Sequence, residues 1–418
     1  MTDAWTTALV VLTVVPAAAQ QIDKTAVDAT TLRGKVMCGY QGWFRCPGDA
    51  ANMGWMHWSR DPARIAPETL TFEMWPDVSE YSPDELCAAP GFTHPDGTQA
   101  YLFSSDNAAT VLRHFQWMRD YGIDGAWLQR FAVGLPGGPE ERWYASTLTV
   151  LDHVRHAARA TGRAWAVSYD IAAMPPDLIF DAVTADWKRL VDAGIVTDER
   201  YVHEGGKPVV QMWGFYPGDA HNRITAETGR RLVDFLAAPG PYEAFFVGGG
   251  TWAWRDVEDP SWRALCRSFR AYCPWNIGNY SLDAQGRKHA SMGYWDDDRK
   301  ECANHGVLWI PVVYPGFSWD NLTRKPPGSS EIARRRGLFL WEQFHRLATM
   351  GVDTVYVAMF DEVDEGTAIF KVTSAPPTQA HFVGYEGLPS DWYLRLVGAG
   401  AQMLRGKRPL SADIPLEP

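Results

Sequence analysis

The chain has 418 residues, 46% hydrophobic and 21% charged, enough apolar material for a large core; its length fits either two ordinary domains or one barrel with insertions. A formal net charge of −11 with no basic stripe would repel phosphate backbones, which excludes nucleic acid as an expected partner. Beyond the amino terminus no apolar run reaches the roughly eighteen residues a membrane span needs, and 20 tryptophans with 16 tyrosines suit stacking on the apolar faces of sugar rings.

In chain order, the apolar stretch Ala8 to Val15, Pro16 and a small-residue site at Ala17 to Ala19 predict a signal peptide over residues 1–19, although Asp3 stands where a basic start is usual. An exported protein, periplasmic or extracellular, is expected. Residues 30–410 read as one domain of short apolar runs alternating with amphipathic stretches. The runs are "VMCGYQGWF" from Val36, "DGAWLQRF" from Asp124, "AWAVSYDI" from Ala164, "PVVQMWGF" from Pro208, "AFFVGGG" from Ala244, "AYCPWNIG" from Ala271, "VLWIPVVYPGF" from Val307 and "TVYVAMFDE" from Thr354. Between them lie helical patterns such as "AATVLRHFQWMRDYG", "TLTVLDHVRHAARATG", "GRRLVDFLAAPG" and "ARRRGLFLWEQFHRLATMG". Eight strands with intervening helices predict an α/β fold, a (β/α)8 TIM barrel. An open doubly wound sheet would place G-x-G-x-x-G after the first strand, and "CGYQGWFRCPG" lacks that spacing.

Residues 45–107 are too many for an ordinary first β–α loop, so a long insertion is expected to roof the barrel mouth. At least one of Trp55, Trp58 and Trp75 is expected to line a sugar subsite there, the opposing reading being that all three pack under the roof as its own core. The six cysteines show no C-x-x-C spacing. Cys38 and Cys273 read as inert core thiols, whereas Cys46 and Cys87 lie in Pro-rich loops where a bridge would suit an extracellular protein. Neither H-x-H after the first strand nor H-E-x-x-H occurs, so no metal and no cofactor are expected.

Chemistry in such barrels sits at the carboxyl ends of the strands. Those ends carry Tyr40, Trp43, Gln129, Arg130, Tyr169, Asp170, Trp213, Trp252, Trp275, Asn276, Tyr314 and Asp361, the candidate substrate-binding residues; Asp170 could instead pair with Arg130. Rings, amides and carboxylates on one face describe a carbohydrate cleft. The last strand runs into four acids, Asp361, Glu362, Asp364 and Glu365. Alternation would turn Tyr356, Ala358, Phe360 and Glu362 into the barrel and Val355, Val357 and Met359 toward the helices. If "EVDEG" turns helically, Glu362 and Glu365 lie about 5 to 6 Å apart at Cβ, a separation that serves paired-carboxylate glycosidases; an extended path would put them roughly 10 Å apart. An exposed acidic loop or a helix amino terminus would also collect acids.

The segment "FDEVDEGT", Phe360 to Thr367, resembles the F-N-E-W-H-E-G-T type of motif in glycoside hydrolase family 99, the endo-α-mannosidases. "GYQGWF", "EMWPDVSEY", "LFSSDNAATVLRHFQWMRDYGIDGAWLQRF" and "PVVYPGFSWDNL" are similar to bacterial proteins grouped as family 71/99-like, over about Gly34 to Thr367. The motif departs at Asp361, Val363 and Asp364, where Asn, Trp and His are usual, so the contacts of those side chains do not carry over. The resemblance implies a (β/α)8 glycoside hydrolase acting on α-linked sugars, with Glu362 and Glu365 as the catalytic pair. Glu365 would be the general acid that protonates the leaving oxygen. Glu362 would be the base that deprotonates the sugar's own 2-hydroxyl, whose oxygen attacks C1; water then opens the anhydro sugar with overall retention. A monomer acting on an oligosaccharide or polysaccharide is expected. A hydrolase of α-glucans or pentosides, or a carbohydrate-binding barrel without activity, stay open as alternatives.

Overall fold

The computed structural model describes residues 25–219 and 223–418, so the predicted signal peptide lies outside it. In chain order the strands are β1 Val36–Tyr40, β2 Leu86–Thr93, β3 Gln99–Phe103, β4 Gly125–Phe131, β5 Ala164–Asp170, β6 His203–Glu204 and β7 Lys207–Phe215. They continue as β8 Phe245–Thr251, β9 Ala271–Trp275, β10 Tyr280–Leu282, β11 Lys288–Ala290, β12 Leu308–Trp309, β13 Val312–Val313 and β14 Val355–Val357. The α-helices are α1 Ala108–Asp120, α2 Tyr144–Thr161, α3 Pro176–Asp192, α4 Ala226–Ala237, α5 Pro260–Cys266, α6 Trp295–Asn304, α7 Asp320–Thr323, α8 Leu338–Thr349 and α9 Trp392–Leu404.

The barrel sheet runs β12-β9-β8-β7-β5-β4-β1-β14-β13 with parallel pairing throughout. Its two ends are halves of one strand. Ile310 and Pro311 separate β12 from β13, and Pro311 has no N–H to give the ladder. Its carbonyl still accepts from Tyr356 N, while Ile310 N donates to Tyr272 O, so the ring closes. All eight predicted runs are therefore strands of a (β/α)8 barrel, each followed by a helix. Each strand is buried on both faces, inside against its neighbours and outside against helices, which is why the runs read as nearly continuous apolar segments. Gly162 in the left-handed region caps α2, as the Gly after that apolar pattern predicts. Among the described residues no helix is long and apolar enough to cross a membrane.

The insertion between β1 and α1 contains the β2–β3 hairpin and meets the segment after the last barrel strand, where Glu73 N donates to Val363 O. Here the expectation of a sugar-facing roof tryptophan fails. Trp58 and Trp75 are fully buried and Trp55 is nearly so. Trp58 stacks on Phe44 with centroids 4.1 Å apart, and its Nε1 donates to Phe103 O at 3.0 Å. Trp75 Nε1 donates to Tyr101 O at 3.1 Å. Such a loop must bury something to stay ordered, and it buries its tryptophans.

The alternation predicted for the last strand also holds only in part. Tyr356 faces the interior, stacked on Trp127, but β14 ends at Val357. Beyond it Met359 turns inward, its sulfur 3.5 Å from the Tyr356 hydroxyl, and Phe360 turns outward against Tyr40 and His114. Gly39 is required opposite: a Cβ there would lie 2.2 Å from the Met359 sulfur.

Candidate active site

The acidic segment forms a hydrogen-bonded turn. Gly366 N donates to Val363 O at 3.3 Å, and Thr367 N and Ala368 N both donate to Glu362 O, at 3.1 and 2.9 Å. This is the turned path, not the extended one. Gly366 has φ 60° and a Cβ there would meet Ser318 N at 3.0 Å, so a side chain is excluded twice over. Three groups outside the segment fix the turn. Arg334 donates to Gly366 O and Ala368 O at 2.8 and 2.7 Å. Ser318 N donates to Glu365 O at 2.9 Å, and Glu73 N donates to Val363 O at 2.7 Å. The buried Glu73 carboxylate in turn accepts from Ser318 Oγ and Asn321 N at 2.8 and 2.6 Å, tying roof, turn and α7 together.

Glu365 stands on the wall of an open cavity of about 690 Å³ over the strand ends, with Trp252, Trp275, Trp319 and Tyr280 among its rings. Glu362 sits deeper, 7% exposed, and the Gln41 side chain favours its carboxylate form. Burial raises the proton affinity of both carboxyls. Glu362 is pushed well above the ordinary carboxylate range, with repulsion from Glu365 and Asp364 adding to the burial. Glu365 is pushed up to about 7 by burial and then by Asp170. Asp170 is itself raised to about 7 by burial, although its carboxylate accepts from Ala172 N at 2.7 Å. Three carboxyls that resist ionisation thus lie close enough to interact, with Glu365 on the cavity wall, an arrangement suited to moving protons near neutral pH.

Of the other residues expected at the site, Gln129, Trp213 and Trp275 face inward. Gln129 Nε2 donates to the Tyr356 hydroxyl at 3.1 Å, and Trp275 meets Trp213 and Tyr356 edge to face. Trp252 is 40% exposed, one of the few large rings open to solvent. Trp43 lies off the main cavity, stacked on His57 at 3.8 Å and on Phe131. Asn276 is buried.

Five expectations are corrected. Tyr40 is fully buried, its hydroxyl 2.9 Å from His114 Nδ1 on α1, so it belongs to the layer between barrel and helix. Arg130 turns to α3 and makes a two-point bond to Asp186 at 2.5 and 2.6 Å, not a pair with Asp170. Tyr169 donates to the same carboxylate at 2.7 Å. Tyr314 is buried against Phe339 of α8, and its hydroxyl props Asn279 O at 2.6 Å. The Asp361 carboxylate is occupied by Gln41 N and Gly42 N at 2.8 and 2.9 Å, so it shapes the end of β1 and does not face a sugar.

Arg130→Lys is therefore expected to lower unfolding free energy by about 1.5 to 3 kcal/mol, since one ammonium cannot replace a planar two-point bond to a buried carboxylate. KM is expected to stay at the wild-type value. A raised KM with unchanged stability would return Arg130 to the cleft.

Gln41, at the end of the first strand in "GYQGWF", was within reach of sequence reasoning, which missed three other residues. Glu73 and Arg334 hold the turn. His57, from the roof, places Nδ1 3.2 Å from Asp364 Oδ2. Burial disfavours the charge of each, pushing His57 down to about 3 and Asp364 well up. Only Glu73 carried a signal, through "EMWPDVSEY". Among the described residues no three His, Cys, Asp or Glu side chains converge as a metal site.

No family model and no curated protein match the sequence. Solved structures do match the fold. The GH99 endo-alpha-mannosidase from Bacteroides thetaiotaomicron is similar at TM-score 0.64 and 15% identity, over 90% of this chain and 99% of that one. The GH99 endo-alpha-mannosidase from that organism in complex with bis-tris-propane is similar at TM-score 0.61 and 14% identity, over the same shares. At these identities the likeness is one of fold, a barrel of the kind found in glycoside hydrolases.

Proposed function

We propose that this protein is a retaining glycoside hydrolase of α-linked sugars, mannosides or their close analogues, with Glu365 as general acid and Glu362 as base. The observation that carries the reading is the fixed turn that sets Glu365 on the wall of an open aromatic cavity with a second proton-retaining carboxyl, Glu362, buried close behind it. Glu365, on the cavity wall, is placed to protonate a leaving oxygen. Glu362, deeper and with Gln41 favouring its carboxylate, would accept a proton from a sugar hydroxyl bound against the barrel floor.

In the empty cleft, burial raises the proton affinity of both carboxyls, and repulsion from Glu365 adds to it at Glu362. A substrate hydroxyl donating to Glu362 favours its carboxylate, and the charge so formed raises Glu365 further. Substrate binding then sets the proton on the residue that must give it away.

The test is hydrolysis over a panel of α-mannans, α-glucans and plant or bacterial polysaccharides, with NMR of the first-formed anomer. The β anomer from an α-linked substrate would overturn retention, and no hydrolysis of any member would leave a sugar-binding barrel. Because the acid must be protonated, kcat/KM is expected to fall as pH rises above about 7. Asp170→Asn removes a negative neighbour, lowers the Glu365 pKa, and should move that alkaline limb to lower pH. An unmoved limb would show that Asp170 does not influence the acid.

A further inference from the structure

Beyond Glu365, the charges on the cavity wall are positive, in a protein whose net charge is −11. They are Lys288 and Lys325. Lys288 Nζ sits 4.5 Å from the centre of the Tyr280 ring and donates to Glu331 O at 2.6 Å. Lys325 Nζ sits 5.5 Å from the centre of the Trp319 ring. Both ammoniums are thus held against rings that themselves line the cavity.

Neither lysine is ion-paired among the described residues: Lys288 reaches the Glu331 carbonyl and not its carboxylate, and three other acids of the region have partners of their own. Asp283 pairs with Arg287 at 2.7 Å and Glu342 with Arg335 at 3.1 Å. Asp320 accepts from Ser330 Oγ and Ser330 N. A chain with 50 acidic residues against 39 basic ones has many partners to offer a lysine, yet leaves these two facing the cavity. The same wall carries Trp252 and Tyr280, each 40% exposed, flat platforms of the kind that stack on sugars.

We infer that this cavity takes an anionic glycan, its sugar rings on Trp252 and Tyr280 and a carboxylate or sulfate on those rings against Lys288 and Lys325. This rests on the carbohydrate reading above and narrows its substrate class. The charge belongs to sugar units away from the reacting one, because the working Glu362 carboxylate would repel an anion at its own position. An ammonium is a compact point charge and makes no fork, so either substituent satisfies it.

The experiment is binding of the whole protein, by affinity electrophoresis, to a polyuronate, a sulfated polysaccharide, and neutral mannan and glucan. At least one charged class should retard the protein more than both neutral ones, and the retardation should weaken as salt rises. The uronate and sulfate arms decide which substituent is favoured. Lys288→Met with Lys325→Met should lower affinity for the charged class at least about tenfold, the sum of two modest charge contacts, with melting temperature kept. Trp252→Ala should weaken charged and neutral glycans alike. Equal binding of charged and neutral polymers, no binding of either charged class, or a double lysine variant that binds as wild type would each overturn the inference. Binding does not depend on turnover, so failure of the hydrolase reading would show separately, as retention without sugar release.

Discussion

Glu365→Gln and Glu362→Gln are each expected to lower turnover at least about a hundredfold, the scale of a lost acid or base, while the fold is kept. Their roles separate with leaving group. A substrate whose leaving group needs no proton should recover activity in Glu365→Gln and not in Glu362→Gln; the opposite pattern would exchange the assignments. Wild-type rates in both would remove the pair from the reaction. Stability supplies a second readout with a definite sign. Glu365 holds its proton up to about 7 when folded, against an ordinary 4.5. Folding therefore takes up a proton between those values, and stability is lost as pH rises through that window. Glutamine cannot ionise, so Glu365→Gln should melt above wild type at pH 8, with the gain shrinking toward pH 4. A variant less stable than wild type at pH 8 would mean that the carboxylate is better solvated than its burial implies.

The barrel was legible because parallel strands buried on both faces leave a simple signature, short apolar runs between turn residues. All eight runs fall on strands, and even the broken seventh was read as one, since Pro311 interrupts the ladder without moving the chain off its path. The cleft was less legible for a reason that alternation makes plain. Adjacent residues at a strand end cannot both face inward, so of Gln129 and Arg130 only one reaches the mouth, as with Tyr169 and Asp170. The inward phase was fixed by Gly39 and Gln41, which put Tyr40 outside. His57, Glu73 and Arg334 lay beyond reach of this logic. They come from loops hundreds of residues from the acidic turn in two cases, and spacing holds no record of contacts closed only by the tertiary fold.

Roof and chemistry meet in the second large expected effect. Trp58→Ala and Trp75→Ala should each cost about 3 to 5 kcal/mol, because each removes a fully buried indole from a small aromatic core that cannot collapse far. The loss should be local at first. Residues 45–107 hold their own hairpin and ring cluster, so limited proteolysis is expected to cut there while the barrel strands stay protected. Activity should fall with the roof although neither tryptophan faces the cavity, since the same segment delivers His57 to Asp364 and Glu73 to the acidic turn. Trp252→Ala gives the contrast: a half-exposed ring contributes little to stability, so its loss should raise KM while leaving the melting temperature near wild type. If Trp58→Ala and Trp75→Ala resist proteolysis like wild type yet bind glycans poorly, the roof rings face sugar after all; if they are cleaved in the roof and lose turnover together, the insertion is the brace that keeps Glu362 and Glu365 in register.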